Sequence, residues 1–385
     1  MRTAFFPDSF VEVNGVAMTS NRLVNFARAR GIDFLCVHAG PETKVQIDGS
    51  VTDISLKRTV LSIGMDEGLA FDPLFQRHVN LVLRELFSFK PDVIHITGLN
   101  DVSIIGAYLA WKLKLPLIAS WHTNLHEFAA RRIRKNLSFL PQSVSNTIAD
   151  FAERQILAGA MLYYKMPKMI LAPNQELIDL LSERTEREVR LMARGVDTVL
   201  FDPAKRNRDD NKLKFGFVGR LQAEKNPRVL VDVERCLLEN GVEDFEFLIV
   251  GEGSERGWLE KHLTRAVFTG FLSGESLAEA YADMDVFLFP SETDAFGNVA
   301  QEAMASGVPV ITSDVGGPKF IIRESENGFI AREGKEYGSF CVKLAKDPAL
   351  LHEMKGAARR FALTRSWDAV FEEVFDAYRA VAFGR

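Results

Sequence analysis

The sequence has 385 residues, of which 47% are hydrophobic and 26% charged, and its formal net charge is −5. This length is typical of two domains, and the composition excludes a disordered or fibrous protein. The negative charge speaks against a nucleic-acid partner. The 3 cysteines are too widely spaced for a disulfide framework or a metal site, which suits a reducing cytoplasm. No segment approaches the about 18 apolar residues that a membrane-spanning helix needs, and the N-terminus is typical of a first strand rather than a signal peptide.

Short strand-like segments alternate with longer helical segments along the whole chain. The predicted strands cover 3–6, 34–37, 93–97, 117–120 and 169–172 in the first half, and 214–218, 246–250, 266–269, 286–289, 308–312 and 328–330 in the second. Such alternation favours parallel sheets covered by helices on both faces. We therefore predict an α/β protein with two doubly wound, Rossmann-like domains that face each other across a cleft. The polar, turn-rich segment 201–211 is the predicted linker.

Two positions in the first half stand at the predicted ends of strands. Gly15 closes the loop 7–15 ahead of a helix, and a glycine there lets the backbone approach a ligand closely, although such a glycine is more often only part of a turn. His122 follows the strand 117–120. A single histidine is usually a packing or surface residue, but the carboxyl end of a strand is where ligands bind in open α/β sheets.

The segment 128–168 is strongly basic for an acidic protein. It carries Arg131, Arg132, Arg134, Lys135, Arg154, Lys165 and Lys168 against only Asp150 and Glu153, interleaved with aromatic and aliphatic residues. A basic amphipathic surface can rest on an anionic membrane, and it can equally steer an anionic ligand towards a site. Both interpretations stay open, so we expect a cytoplasmic protein that is free or peripheral on the inner face of the membrane.

Two loops in the second half also follow predicted strands. In the segment VGRLQAEKN, Arg220 and Lys225 place positive charge beside a helix N-terminus, a combination that can neutralise a diphosphate; a solvated surface pair is the alternative. Gly251 and Gly253 follow the next strand. Because the third glycine comes one position late for the G-x-G-x-x-G fingerprint, this loop argues against a hydride-transferring dinucleotide enzyme.

The segment SETDAFGNVAQEAMASGVPV, residues 291–310, holds the most informative pattern. Asp294 and Glu302 are separated by seven residues and bracket Phe296, Gly297 and Asn298. A buried strand precedes this loop and a helix follows it, so peptide N–H groups and the helix dipole suit an anionic group such as a diphosphate. Glu302 would lie about two turns into the helix on its inward face, within reach of the two hydroxyls of a ribose.

The segments SWHTN, VGRLQAEKN and 291–310 resemble the motifs of glycosyltransferase family 4, retaining enzymes of the two-Rossmann-domain (GT-B) type. The resemblance implies an acceptor-binding domain over 1–190, completed by the C-terminal helix 366–385, and a donor-binding domain over 191–365. It implies transfer of a hexose from a nucleoside diphosphate sugar, with UDP favoured over GDP, to an acceptor hydroxyl such as that of a lipid or lipid-linked glycan. Neither a metal nor another cofactor is expected.

The resemblance also implies a role for each candidate residue. His122 and Asp294 would form the catalytic pair that contacts the sugar, although many members carry glutamate in place of Asp294. Gly15, Arg220 and Lys225 would contact the donor phosphates. Gly251 and Gly253 would lie near the base, the peptide groups of Phe296, Gly297 and Asn298 would orient the sugar, and Glu302 would hold the ribose. No side chain is typical of a covalent nucleophile, which agrees with a front-face mechanism.

Two other functions fit the same fold. A sugar-nucleotide epimerase would change the donor sugar without an acceptor, and a non-catalytic sugar-nucleotide-binding subunit would lack several of the residues named above. Asp283 and Asp285 match the D-x-D pattern by which another glycosyltransferase fold binds a metal. Because they lie between a predicted helix and a buried strand, a structural cap or core hydrogen bond is the better interpretation. The sequence indicates no oligomeric state.

Overall fold

The computed structural model describes residues 1–12, 15–66, 69–121, 142–291, 294 and 296–384. The chain forms two compact units, one of residues 1–193 with 370–385 and one of residues 194–369. The boundaries expected from the sequence fall after residues 190 and 365.

The first unit is built on a sheet of eight strands in the order β10-β9-β8-β7-β1-β2-β4-β3. Its strands, with the two-stranded hairpin β5–β6, are β1 Thr3–Phe6, β2 Phe34–Gly40, β3 Lys44–Asp48, β4 Val51–Lys57, β5 Ile63–Asp66, β6 Leu69–Phe71, β7 Val93–Ile96, β8 Leu117–Ser120, β9 Met169–Ala172 and β10 Glu188–Leu191. Its helices are α1 Gly15–Ala29, α2 Val79–Phe89, α3 Asp101–Leu113, α4 Gln142–Tyr164 and α5 Gln175–Thr185, with a 3-10 turn at Phe75–His78.

The second unit contains a sheet of six strands in the order β13-β12-β11-β14-β15-β16. The strands are β11 Leu213–Val218, β12 Phe245–Val250, β13 Ala266–Gly270, β14 Val286–Phe289, β15 Val310–Ser313 and β16 Gly328–Ala331. The helices are α6 Val229–Glu239, α7 Arg256–His262, α8 Gly274–Ala282, α9 Asn298–Ala305, α10 Gly334–Lys346 and α11 Pro348–Leu363. The last helix, α12 Trp367–Phe383, belongs to the first unit from residue 370 onwards. Short 3-10 helices cover Pro203–Lys205, Ala223–Lys225 and Pro318–Ile321.

Both sheets are doubly wound. In the first sheet, β2 and β4 lie on one side of β1, and β7 to β10 lie on the other side. In the second sheet, β12 and β13 lie on one side of β11, and β14 to β16 on the other. Since parallel crossovers are right-handed, this reversal places helices on both faces of each sheet. All strand pairs of the second sheet are parallel. The predicted fold class is confirmed.

The predicted strands of the first unit omit β3, β4 and β10 of the main sheet and the hairpin β5–β6. Strand β3 pairs antiparallel with β4, and every residue of β3 is exposed. Its sequence, Lys-Val-Gln-Ile-Asp, alternates polar and apolar residues, but with no buried face it lacks the apolar run that marks the predicted strands. By contrast, β14 reads Val-Phe-Leu-Phe with all four residues buried, because helices cover both faces of a parallel sheet.

The C-terminal helix α12 packs on the first unit through its aromatic face. The Phe26 ring of α1 lies 5.6 Å from that of Phe371 and 5.7 Å from that of Phe375. The Tyr378 hydroxyl lies 2.7 Å from His95 Nδ1 in strand β7. The apolar face of this helix is therefore buried in the unit that begins the chain.

The segment 201–211 is not a linker, because it lies inside the second unit. Three cations surround the buried carboxylate of Asp285: Arg206 Nη2 at 3.0 Å, Arg208 Nη2 at 2.5 Å and Lys355 Nζ at 2.5 Å. Asp283 Oδ1 accepts from the backbone N–H of Asn207 at 2.9 Å. These contacts confirm the structural interpretation of the D-x-D motif, and they attach the polar segment to the domain.

Candidate functional site

The candidate site lies at the switch point of the second sheet, between the neighbouring strands β11 and β14. The chain leaves these two strands in opposite directions, and a crevice forms at their carboxyl ends in doubly wound sheets. The loop after β11 carries Arg220 and Lys225, and the loop after β14 carries Asp294 and Gly297. Two motifs that are far apart in the sequence therefore meet at one edge of the sheet.

Lys225 and Asp294 form an ion pair across this switch point. Lys225 Nζ donates to Asp294 Oδ2 at 2.6 Å, and the side chains are 15% and 27% exposed. A short charge-assisted hydrogen bond in a partly buried position holds both groups in defined places. The family resemblance implies separate roles, with Lys225 contacting the phosphates and Asp294 the sugar, whereas the structure pairs the two side chains with each other.

Arg220 is the accessible cation of the same loop. Its side chain is 69% exposed, and Nη2 lies 3.5 Å from Glu224 Oε1. An exposed ion pair of this length contributes little to stability and can be exchanged for another anion. Arg220 can therefore turn towards another anion, whereas Lys225 is held in one place by its pair with Asp294.

The turn before α9 depends on Gly297. Its φ is +83°, and a Cβ atom at this position would lie 2.7 Å from Pro318 Cγ. The backbone N–H of Gly317 donates to the carbonyl of Asp294 at 2.8 Å, so the loop after β14 is attached to the loop after β15. The first peptide groups of α9 follow directly, and Phe296 beside the turn is buried.

We expect Gly297→Ala to destabilise the protein by about 1–3 kcal/mol, because alanine meets both the left-handed backbone conformation and the Pro318 ring. Urea unfolding of the full chain measures the effect. Gly274→Ala is the matched control, since Gly274 has a φ of +57° with no atom within 4 Å of an added Cβ. Equal losses in the two variants would show that the contact with Pro318 is unimportant.

Glu302 lies just over one turn into α9, which begins at Asn298, rather than the two turns predicted, and it is half-buried. The hydroxyl of Tyr281, on α8, donates to Glu302 Oε2 at 2.9 Å. Burial raises the pKa of Glu302 above its ordinary value, and the hydrogen bond from Tyr281 opposes that rise. Tyr281 is not among the residues predicted from the sequence, although a tyrosine on the buried face of a helix signals a hydroxyl that needs a partner.

Gly251 and Gly253 pack the loop after β12 against the loop after β11. A Cβ atom on Gly251, whose φ is +132°, would lie 2.0 Å from the carbonyl oxygen of Gly219, and one on Gly253 would lie 2.2 Å from that of Leu221. The backbone N–H of Leu221 donates to the carbonyl of Glu252 at 2.9 Å. These glycines thus have a packing role, and their contact with a base stays a prediction.

The first unit places Gly15 at the first residue of α1. The loop ahead of α1 is fastened at the switch point between β1 and β7, where Asp8 Oδ1 accepts from Ser103 Oγ at 2.5 Å and Oδ2 from the N–H of Leu99 at 3.1 Å. Burial raises the pKa of Asp8 to about 6, against the opposing effect of these hydrogen bonds. Asp8 is not among the residues predicted from the sequence.

His122 and residues 128–141 lie outside the described residues. In the described remainder of the basic stretch, Arg154, Lys165 and Lys168 are exposed, as are the apolar side chains of Phe151 and Leu162. No helix in the described part of the chain is long and apolar enough to cross a membrane. Within the same residues, no group of three His, Cys, Asp or Glu side chains could hold a metal ion.

Comparisons with known proteins agree with this geometry. Residues 13–200 match the family model described as Glycosyltransferase Family 4, and residues 212–347 match Glycosyl transferases group 1. A protein of Mycobacterium tuberculosis called GDP-mannose-dependent alpha-mannosyltransferase is 32% identical over 405 residues, which cover 99% of this chain and 97% of that relative. A relative of the same name from Corynebacterium glutamicum is 30% identical and covers 99% of this chain and 89% of its own.

The fold comparison adds a solved structure. A glycosyltransferase from Rickettsia africae aligns over 100% of this chain and 99% of its own, with a TM-score of 0.70 at 16% sequence identity. At that identity, the likeness shows the fold alone.

Proposed function

Because the chain belongs to glycosyltransferase family 4 and has its two-domain GT-B architecture, we propose that it transfers mannose from GDP-mannose to an acceptor hydroxyl. Membership of the family makes the protein a glycosyltransferase. The observation that supports GDP-mannose as the donor is the match, along 99% of this chain, to two relatives named as GDP-mannose-dependent alpha-mannosyltransferases. The expectation drawn from the family resemblance is UDP rather than GDP, and the proposal departs from it because of these relatives.

The charges at the switch point support a diphosphate there. Lys225 and Asp294 neutralise each other in the free protein, so their pair adds no net charge. Arg220 and the N-terminus of α9 supply the remaining positive potential, and both are attached to strand ends that converge on one crevice. Because these groups can neutralise the negative charge of the phosphates, we propose that donor binding requires no metal ion.

In the proposed reaction, the bond between the anomeric carbon and the phosphate oxygen of GDP breaks while the acceptor oxygen bonds to the same carbon. GDP-mannose carries an α-linked sugar, so an α-mannoside product means retention, and the departing phosphate takes the acceptor's proton. Lys225 and Arg220 stabilise the charge that develops on GDP, which is the largest effect a preorganised site can supply. Asp294 orients the sugar from its fixed place beside Lys225, and Glu302 holds the ribose.

The acceptor in this proposal is a lipid-linked hydroxyl at an anionic surface. Support comes from exposed Arg154, Lys165 and Lys168 beside exposed Phe151 and Leu162 on and after α4. Such a surface combines the charge that attracts anionic headgroups with apolar groups that enter the interface.

The test begins with thermal unfolding of the full chain in GDP, UDP, ADP and their common hexose conjugates, in EDTA and then in Mg²⁺. A ligand that binds only the folded protein raises the midpoint temperature of unfolding. At 100 times its Kd it adds about 2.7 kcal/mol to the free energy of unfolding. We expect GDP and GDP-mannose to raise it, equally in EDTA. A shift from UDP compounds alone would overturn the GDP proposal in favour of UDP, and no shift from any nucleotide would overturn the donor site.

Turnover of GDP-mannose is then measured with glycolipid acceptors in neutral and in anionic vesicles. We expect an α-mannoside, and faster transfer in the anionic vesicles. A changed sugar in GDP-mannose without any acceptor would instead identify an epimerase. Glu302→Gln tests the contact with the ribose: this variant should bind GDP more weakly if Glu302 holds the ribose.

A further inference from the structure

Tyr281 is a buried phenol whose hydroxyl points at a residue proposed to bind the donor. Its side chain is 0% exposed, and its ring packs against those of Phe201 and Phe287, with centroids 5.5 and 5.7 Å away. The hydroxyl donates to Glu302 Oε2 at 2.9 Å. Among the residues that the structure describes, no other donates to the Glu302 carboxylate.

We propose that Tyr281 is a positioning residue that acts on the donor through Glu302. Its hydroxyl occupies one lone pair of Oε2 and fixes the plane of the carboxylate, so that Oε1 accepts from the ribose hydroxyls. The inference rests on the proposed function, because it requires that Glu302 contact the ribose. Glu302 alone cannot keep this orientation, since a glutamate has three rotatable side-chain bonds whereas the packed tyrosine ring is fixed.

The same hydrogen bond keeps Glu302 in the form that the ribose requires. A carboxylate that accepts several hydrogen bonds must be ionised, and burial favours the neutral acid. Burial does raise the pKa of Glu302, and the hydrogen bond from Tyr281 is the interaction that lowers it. Loss of the hydroxyl therefore raises the pKa further.

The other charged groups near α9 do not take over this role. Helix α11 carries Lys355 and Arg359, whose cations are engaged by Asp285 and Asp202. Helix α8 carries two glutamates besides Tyr281, Glu275 and Glu279, and both are exposed. Strands β14 and β15 contain no ionisable side chain. Ionisation of Glu302 is thus controlled by its burial and by Tyr281.

The test is the pH dependence of kcat/KM for GDP-mannose in Tyr281→Phe. The ring and its packing are kept, and only the hydroxyl is lost. We expect the acidic limb of the kcat/KM profile to shift to higher pH by about one unit, because the loss of one hydrogen bond to a carboxylate raises its pKa by about that much. KM should rise about tenfold on the acidic side and little where Glu302 is ionised in both proteins. Tyr337→Phe is the matched control: Tyr337 is buried in the same unit and donates to the carbonyl of Phe289 at 3.3 Å, so its loss should leave the limb unmoved.

Glu302→Gln makes the test independent of whether the tyrosine variant folds. A glutamine has no such ionisation, so this variant should raise KM and lose the acidic limb. A raised KM with the limb intact, or an unmoved limb in folded Tyr281→Phe, would overturn the role of Tyr281 while leaving the proposed function standing. An unchanged KM in Glu302→Gln would instead overturn the ribose contact and with it the role of Tyr281, whereas the donor itself is tested by the nucleotide titration.

Discussion

Lys225→Ala is expected to lower kcat/KM for the donor about 100- to 1,000-fold, which is the effect of removing one preorganised group that stabilises a developing negative charge. Two losses combine in this variant. The departing diphosphate loses a cation, and Asp294 is left as an unpaired carboxylate that is only 27% exposed and repels the phosphates. Steady-state kinetics with GDP-mannose, together with the Kd of GDP by calorimetry, measure the result.

A double-mutant cycle with Asp294→Asn shows whether the two residues act as one unit. If they do, kcat/KM of the double variant is little lower than that of Lys225→Ala alone, because the first substitution has already removed the interaction between the two side chains. Lys335→Ala is the matched control, since Lys335 forms an exposed ion pair with Glu333 at 2.7 Å in the same unit and should leave kcat/KM unchanged. A fall of less than about tenfold in Lys225→Ala would remove Lys225 from the mechanism.

The second large effect is on stability: Asp285→Ala is expected to destabilise the protein by about 3–5 kcal/mol. The variant leaves Arg206, Arg208 and Lys355 around an empty position without their shared anion. Arg208 is the critical partner because its side chain is as buried as that of Asp285. Urea unfolding of the full chain at neutral pH measures the loss.

The effect should disappear in acid. Burial alone would raise the pKa of Asp285, but attraction to Lys355 and Arg208 and hydrogen bonds from Lys355 and the N–H of Lys214 hold it at about 2. A depressed pKa means stability that is present above the unfolded value of about 3.9 and is lost as the pH falls towards 2. The difference between wild type and Asp285→Ala should therefore shrink over that range.

Asp283→Ala is the comparison that separates this structural role from a metal site. Among the described residues, the side chain of Asp283 accepts one hydrogen bond, from the N–H of Asn207, so its loss should cost only about 1 kcal/mol. A D-x-D metal site predicts the opposite pattern, in which Mn²⁺ stabilises the wild type and either substitution abolishes that stabilisation. Equal, Mn²⁺-dependent losses in the two variants would refute the ion-pair account.

Several features of this protein follow from local sequence. Strands β8, β9 and β14 have the bounds predicted for them, because strands buried on both faces of a parallel sheet read as continuous apolar runs between polar loops. The family motifs likewise lie within single loops and helix starts, so the residues of the candidate site could be named in advance. The exposed edge strand β3 was not predicted, since it buries no side chain and its polar–apolar alternation covers only Lys44–Asp48.

What only the tertiary structure decided is which of those residues meet. Lys225 and Asp294 are 69 residues apart, and they become partners because β11 and β14 are neighbours in the sheet although β12 and β13 separate them in the sequence. Tyr281 reaches Glu302 from another helix, and Asp285 gathers cations from positions 206, 208 and 355. Strand order sets these distances, and it results from burial over the whole domain, whereas propensity and periodicity act over one turn or one strand at a time.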